Sequence, residues 1–472
     1  MNKSILSPNA LVVLKKRGYL LPKETPDQMF RRTAKLIASA DKNYGATSAG
    51  VKKIEDDFYK IMSGLEYLSG SVLLNAGRKH KQFSACYVLP LSDSLEDIYD
   101  QLRNAALILR TGGGIGIPLT NLRPRGSLVE STGGISSGVV SFLRLFNFSA
   151  ATISEGSARR PALMGVLKVD HPDIEEFIRA KEDPSSLYHF NISVGSTDEF
   201  MKKVKAGKGK IHLFHPNDGL TERDVNVMDL WNSIAQYAWR VGDPGMVFLD
   251  VMNRYCPTPK LGIYQATNPC GEQALLPYES CNLGNINLGR FIKDEGRGKK
   301  EEGENKINWS RLEEVVRLGV HFQDNVIDLC DYPIEQLKKM AKTTRKIGLG
   351  VMGWADMLIK LGIRYDSETA LTLAEKMAKF IQETARDESV KLGKKRGSFP
   401  AFKGSVWEKK GFKHMRNSTV NTVAPTGTIS IIAGCSSGIE PLFALAYRRE
   451  NILDLGKTSL VEVNSDFENA VI

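Results

Sequence analysis

The chain has 472 residues, 42% of them apolar and 25% charged, which is the balance of a water-soluble globular protein of one large domain with an attachment, or of two or three ordinary ones. No apolar run approaches the ~18 residues that span a bilayer. The start, Met1 to Leu6 followed by Ser7-Pro8-Asn9, has no signal-peptide core. A cytoplasmic enzyme with no membrane contact is the expectation. The net charge of +10 points to anionic partners, but the basic residues are spread along the chain. Phosphorylated small molecules account for that charge as well as nucleic acid does, and no nucleic-acid partner is expected.

The first seventy residues read as a helical domain, 1–70. Thr25-Pro26-Asp27-Gln28 supplies an N-cap, a first-turn proline and a capping-box glutamine, and Met29, Phe30, Thr33, Leu36 and Ile37 follow at helical spacing. The spacing predicts a second helix from Val51 to about Leu68. From residue 71 short apolar segments (Ala85 to Leu89, Ile192 to Val194) alternate with amphipathic helices over Leu95–Leu109, Val227–Val241 and Leu312–Leu329, and a long helix is predicted from Glu368 to about Leu392. That alternation argues for an α/β layer or barrel over 71–472. Lys293 to Lys306 mixes both charge signs and reads as a solvated loop.

Gly112-Gly113-Gly114-Ile115-Gly116-Ile117-Pro118 imitates a dinucleotide-binding turn but has Ile117 where the last glycine is required. Gly456-Lys457-Thr458 imitates a Walker motif and lacks its upstream glycine. Ala424-Pro425-Thr426-Gly427-Thr428-Ile429-Ser430 is the better phosphate candidate. It offers hydroxyls and a turn that can aim N–H groups at an anion, although a capped turn without ligand fits the same pattern.

The six cysteines are Cys86, Cys256, Cys270, Cys281, Cys330 and Cys435, with no C-x-x-C pair and hence no expected metal site. Most should be reduced and buried. In Thr267-Asn268-Pro269-Cys270-Gly271-Glu272-Gln273 an amide, a thiol and a carboxylate alternate. On an extended segment they would share one face, flanking a nucleophile or radical carrier with a hydrogen-bonding group and a base. A turn with one buried cysteine is the plainer reading of that stretch alone.

Taken together, N-P-C-G-E-Q with Cys281 downstream, Phe83-Ser84-Ala85-Cys86, and Ala424 to Pro441 resemble the adenosylcobalamin-dependent ribonucleotide reductases. So do Arg345 to Gly353 and Val169-Asp170-His171-Pro172-Asp173. The resemblance runs from about Leu6 to the last residues. It implies a ten-stranded ribonucleotide-reductase-type α/β barrel enclosing a finger loop. By that resemblance the barrel is expected to be incomplete, its last strands missing, with an N-terminal helical domain before it.

By the same resemblance Cys270 is the thiyl-radical site, Glu272 takes the 3′-hydroxyl proton and Asn268 bonds the sugar. Cys86 and Cys281 reduce the 2′ carbon and end as a disulfide. Pro425, Thr426, Gly427, Thr428 and Ile429 hold the substrate phosphates, joined by Ser71, Ala85 and Gly114. An effector region is expected at about 90–165, with Asp93, Arg123, Arg159 and Arg160 contacting a dNTP or ATP effector. Pro161 departs from the family's glycines there and should stiffen the loop. Cys330 is expected in the core of its helix, Cys256 replaces an expected polar residue, and Cys435 is packing or supports the phosphate loop. The implied partners are a ribonucleotide, adenosylcobalamin, a thioredoxin-like or other dithiol reductant, a second copy in a homodimer, and a second chain completing the barrel.

The spacing from Cys270 to Cys281 favours the cobalamin class over the class with a metal-cofactor partner subunit, which remains the alternative. Family members continue well past Ile472, so the chain is expected to be one piece of a split or longer enzyme. The other readings are a short reductase completed by another chain and a nucleotide-binding protein without catalysis.

Overall fold

The computed structural model describes residues 6–154, 160–183, 185–293, 303–450 and 459–464. Helices Pro8–Lys16, Pro26–Ala38 and Ser48–Ser63 form the N-terminal part. Thr25 caps the second of them through the expected box with Gln28, and Met29, Phe30, Thr33 and Ile37 are buried. The third helix stops before the predicted end. Gly64 caps it, Leu65 takes a left-handed φ of 57°, and Tyr67–Leu68 turns into a strand.

Eight strands of the described residues build one curled sheet. In chain order they are β1 (Tyr67–Leu68), β2 (Cys86–Val88), β3 (Gly114–Pro118), β4 (Leu163–Lys168), β5 (Phe190–Ser196), β6 (Gly245–Phe248), β7 (Ser280–Asn287) and β8 (Ile347–Met352). β2 to β6 run parallel side by side. β7 meets β2 and β1 antiparallel and β8 parallel. Helices cover the outside, among them Leu95–Leu109, Val227–Val241, Trp309–Leu329 and Glu368–Arg396, close to the predicted spans. Burial on both faces explains the near-continuous apolar run of β4, whereas β5 alternates Phe190, Ile192 and Val194 with polar or small residues.

Three apolar clusters matter for the site. One joins Phe58 of the N-terminal helices to Phe322 and Met377 of the barrel helices, with the Phe58 and Phe322 rings edge-to-face at 5.1 Å. A second backs β3 to β5 with Ile98, Leu143 and Phe177. The third is inside the curl, where Cys86, Val88, Met164, Val166, Val247 and Cys281 surround Ala266 and Leu275.

One further expectation changes. Cys330 does not lie within the helix Trp309–Leu329 but caps its end, its sulfur accepting the Phe83 N–H at 3.3 Å. Of the charged stretch Lys293 to Lys306, residues 294–302 lie outside the described residues, as does Gly456-Lys457-Thr458.

Candidate active site

The central feature is a hairpin inside the curl. Ala266–Thr267 pairs antiparallel with Ala274–Leu275, leaving residues 268–273 as its turn. The turn closes with Asn268 N–H on the Gln273 carbonyl (3.1 Å), Gly271 N–H on the Asn268 carbonyl (3.0 Å) and Gln273 N–H on Asn268 Oδ1 (3.0 Å). Gly271 takes φ 85°, a value only glycine holds cheaply. The segment is therefore a tight turn and not the extended strand expected from its alternation. Turning rather than alternating brings Asn268 and Glu272 back to one place.

The barrel wall is shaped to receive this hairpin. A Cβ at Gly116 would sit 1.8 Å from the Thr267 carbonyl oxygen, and one at Gly114 would sit 2.8 Å from Pro269 Cγ. The glycines that imitated a dinucleotide motif are thus the floor on which the finger loop lies. Asn191 of β5 donates to the Pro269 carbonyl at 2.8 Å, and Thr422 donates to the Glu272 carbonyl at 3.1 Å.

Cys86 stands at the centre. Asn268 Nδ2 donates to its sulfur at 3.1 Å, and its thiol faces Glu272 Oε1 at 3.7 Å. Cys281 is its cross-strand partner in the β2–β7 ladder. Such partners have Cα atoms roughly 4.5–5.5 Å apart, within the range a disulfide bridges. Cys86 and Cys281 are buried, whereas Cys270 at the turn is exposed. Burial pushes the Cys86 thiol well above its ordinary range, and Glu272, Cys281 and Cys270 push it further. Burial likewise raises Cys281 and Glu272. Glu272 Oε2 is buried with no hydrogen-bond partner among the described residues.

These groups open into a cavity of about 290 Å³. Cys86, Asn268, Cys270 and Glu272 line one part of it, and Ser71, Ala85, Gly114 and Pro425 to Ile429 line the rest. Cys281 lies behind Cys86 without lining it. In the loop, Thr426 takes φ 55° and accepts the Gly438 N–H at 2.8 Å through its hydroxyl, while Arg17 donates to Thr428 Oγ1 at 2.9 Å. The short helix Ile429–Ala433 follows directly.

The expected effector residues divide. Asp93 and Arg123 form an ion pair at 2.7 Å outside this cavity, with Asn217 donating to Asp93 at 2.8 Å. Arg160 lines the cavity of Cys86 and Glu272 instead, and Arg159 lies outside the described residues. His171 is a core residue. Its Nδ1 accepts the Asp173 N–H, which leaves Nε2 to donate to the Leu122 carbonyl. Cys256 is buried against Tyr264 and Leu276, and Cys435 lines a separate cavity of about 430 Å³.

Sequence reasoning missed several residues of the site. Tyr19, Leu283 and Asn285 line the cavity, and Lys346 forms a buried ion pair at 2.8 Å with Glu279, two residues before Cys281. Lys346 also donates to the Ala274 carbonyl at the hairpin stem, so one cation ties the finger loop to the Cys281 strand. Leu283 and Asn285 were legible as positions sharing a strand face with Cys281.

Comparison with known proteins shows the family. The family model described as "Ribonucleotide reductase, barrel domain" matches residues 84–472, and "Ribonucleotide reductase, all-alpha domain" matches residues 5–81. The chain belongs to the ribonucleotide reductase family. It is 49% identical over 413 residues to a vitamin B12-dependent ribonucleoside-diphosphate reductase of Thermoplasma acidophilum, covering 87% of this chain and 52% of that protein. A protein of the same description from Mycobacterium tuberculosis is 45% identical over 471 residues, covering 98% of this chain and 65% of that one. The ribonucleoside-diphosphate reductase subunit alpha of Chlamydia muridarum is 29% identical over 91% of this chain. The chain thus spans about half to just under two thirds of the length of the B12-dependent relatives. Among the described residues no helix is long and apolar enough to cross a membrane.

Proposed function

We propose that this chain carries the substrate site of an adenosylcobalamin-dependent reductase that converts ribonucleotides to 2′-deoxyribonucleotides in the cytoplasm. The observation that carries the reading is the convergence of Asn268, Cys270, Glu272 and Cys86, with Cys281 behind, on a cavity also lined by the loop from Pro425 to Ile429. A binding pocket alone has no use for three thiols beside a buried carboxylate.

The chemistry follows from the residue types. Expelling hydroxide from a ribose carbon is hard, but loss of water next to a 3′ radical is not. Cys270, as a thiyl radical, takes the 3′ hydrogen atom, and Glu272 accepts the 3′-hydroxyl proton. The raised affinity of Glu272 for protons suits a base that also returns one. Cys86 and Cys281 together lose two protons and two electrons, and Cys270 at the end returns its hydrogen atom to the 3′ carbon. The 2′-hydroxyl leaves as water, a hydrogen takes its place on carbon, and the two sulfurs join as a disulfide. Asn268 orients both the sugar and the Cys86 thiol, and Pro425 to Ile429, with Ser71, Ala85 and Gly114, hold the phosphates.

Cys270 fits a radical initiator supplied from outside, being the exposed one of the three thiols. Adenosylcobalamin, when bound, supplies the organic radical that accepts the Cys270 hydrogen atom. The greater identity to the B12-dependent relatives of Thermoplasma acidophilum and Mycobacterium tuberculosis than to the subunit alpha of Chlamydia muridarum favours this initiator over a metal-cofactor subunit. The other partners in this reading are a thioredoxin-like or other dithiol that reopens the disulfide, and a dNTP or ATP effector near Asp93 and Arg123. A second copy in a homodimer and further polypeptide that closes the barrel beside β6 complete it.

The test is deoxyribonucleotide formation from ribonucleoside di- and triphosphates with adenosylcobalamin, dithiothreitol and effectors, with Cys270→Ala alongside. Product that disappears in the variant supports the reading. If none forms, the segment by which the relatives exceed this chain is added as a separate polypeptide. Continued absence of product with tight nucleotide binding would leave a nucleotide-binding protein without catalysis.

A further inference from the structure

The inner face of β7 carries a polar side chain that the proposed chemistry does not use. Alternation along the strand puts Cys281, Leu283 and Asn285 on one face. Gly284, on the other face, lies directly under the Tyr67 hydroxyl. Leu283 and Asn285 both line the catalytic cavity. Asn285 is only 3% exposed, yet its Oδ1 has no partner and its amide makes no hydrogen bond to any described residue. The neighbouring Asn282 shares an unpartnered Oδ1, but its Nδ2 donates to the Gln323 carbonyl at 3.3 Å, an acceptor the Nδ2 of Asn285 does not have. A buried amide left unsatisfied costs stability, so a native one calls for a reason.

The surroundings leave room for this amide. Across the ladder its partner on β8 is Gly350, where a Cβ would sit 2.4 Å from Asn285 Oδ1. On the other side its partner is Leu68, which leads into Ser69, Gly70 and Ser71. Gly70 packs against Ile429 of the phosphate loop, and Gly70, Ser71 and Pro425 to Ile429 share the cavity with Asn285. Four residues of strand put Asn285 about 13 Å from Cys281 along β7. Cys86, paired with Cys281, therefore marks the reducing end of the cavity and Asn285 the end of Ser71 and the phosphate loop.

We infer that Asn285 is a substrate-binding residue whose amide N–H donates to a phosphate oxygen of the bound nucleotide. The inference rests on the reading of the cavity as a ribonucleotide site. The anion gives the Asn285 N–H, which has no acceptor among the described residues, a partner, and a hydrogen bond to a charged oxygen is the strong kind.

The test is calorimetric titration of the chain with cytidine diphosphate and with cytidine, for the wild type, Asn285→Ala and Asn285→Asp, with thermal melts alongside. An amide without a protein partner predicts that Asn285→Ala melts no lower than the wild type. Asn285→Ala should weaken cytidine diphosphate about tenfold, and Asn285→Asp should weaken it further by facing phosphate with a carboxylate. Cytidine affinity should not change. Unchanged diphosphate affinity in both variants, or equal weakening for nucleoside and diphosphate, overturns the role of Asn285 and leaves the function standing. A wild type that binds neither compound overturns the ribonucleotide-site reading itself, and the inference falls with it.

Discussion

Cys86 and Cys281 come from distant parts of the sequence and meet as direct cross-strand partners where β2 and β7 pair antiparallel. This is the junction at which the parallel strands β2 to β6 hand over to β7 and β8. These two thiols are therefore built into the seam of the sheet, on rigid backbone, while the third thiol rides on the hairpin turn. Two sulfurs that exchange a bond need fixed spacing, and a ladder supplies it.

Mild oxidation with diamide should join the peptides carrying Cys86 and Cys281 without perturbing the sheet, because cross-strand Cα spacing already suits a disulfide. Peptide mapping under non-reducing conditions reads this directly. Preferential linkage of Cys270 to either partner would contradict the geometry. Cys86→Ser should abolish the crosslink.

Alkylation should separate the thiols by accessibility. Cys270 is exposed, while Cys86 and Cys281 are buried and their thiols are held protonated by burial. The thiolate is the reactive form. Brief iodoacetamide treatment in native buffer should label Cys270 well before the other two, measured by mass spectrometry. Equal labelling would mean that the turn and the seam open together.

The helices were legible because their signals are local. Thr25 to Gln28 announces a capping box, and Val227–Val241 and Leu95–Leu109 match their apolar periodicity. The alternation of Asn268, Cys270 and Glu272 misled, since one glycine in a left-handed conformation turns a strand pattern into a tight turn. Gly114 and Gly116 were visible as glycines, but their reason is a hairpin arriving from residues 266–275, which no local pattern encodes. The unsatisfied amide of Asn285 was hidden for the same reason. Burial without a partner is a property of the folded neighbourhood, not of the residue.

Gly116→Ala should therefore damage the site from the outside in. The added methyl meets the Thr267 carbonyl oxygen at the base of the hairpin, where backbone cannot yield as a side-chain tip does. Overpacking of this kind costs roughly 1–3 kcal/mol. Denaturant unfolding should show that loss, and Cys86–Cys281 crosslinking should survive it while nucleotide binding falls. A variant as stable as the wild type would mean that the finger loop shifts freely.

Glu272→Gln should change the pH dependence of stability. Burial raises the Glu272 carboxyl above its ordinary value, so the folded protein prefers it protonated. That preference contributes stability at low pH, and the contribution is lost as pH rises through the raised value. The glutamine variant carries no charge to bury. Its stability should match the wild type in acid and exceed it at neutral pH, as followed by melts across the range. A glutamine variant that is less stable at neutral pH would show that the ionised carboxylate is held by partners, not penalised.

Asp324 should show the opposite sign. It is fully buried and meets Arg345 at 2.8 Å, Arg396 at 2.8 Å and Arg416 at 3.2 Å. Arg396 also reaches Asp41, and Arg416 reaches Tyr44, so the cluster ties the N-terminal helices to the helices Trp309–Leu329 and Glu368–Arg396 of the barrel. Burial alone would raise the Asp324 carboxyl, but the charges of Arg345, Arg416 and Arg396 outweigh it and hold the group far below the usual range. Its stabilisation is therefore present above the ordinary carboxylate value, about 3.9, and is lost as pH falls below it toward the depressed folded value. Asp324→Asn leaves three buried guanidinium groups short of a counter-charge and should cost roughly 3–5 kcal/mol at neutral pH. The same substitution should flatten acid unfolding, since the proton that triggers it no longer has a site. Urea titrations at neutral pH and at pH about 3 decide the matter, because a merely local packing defect would lower both by the same amount.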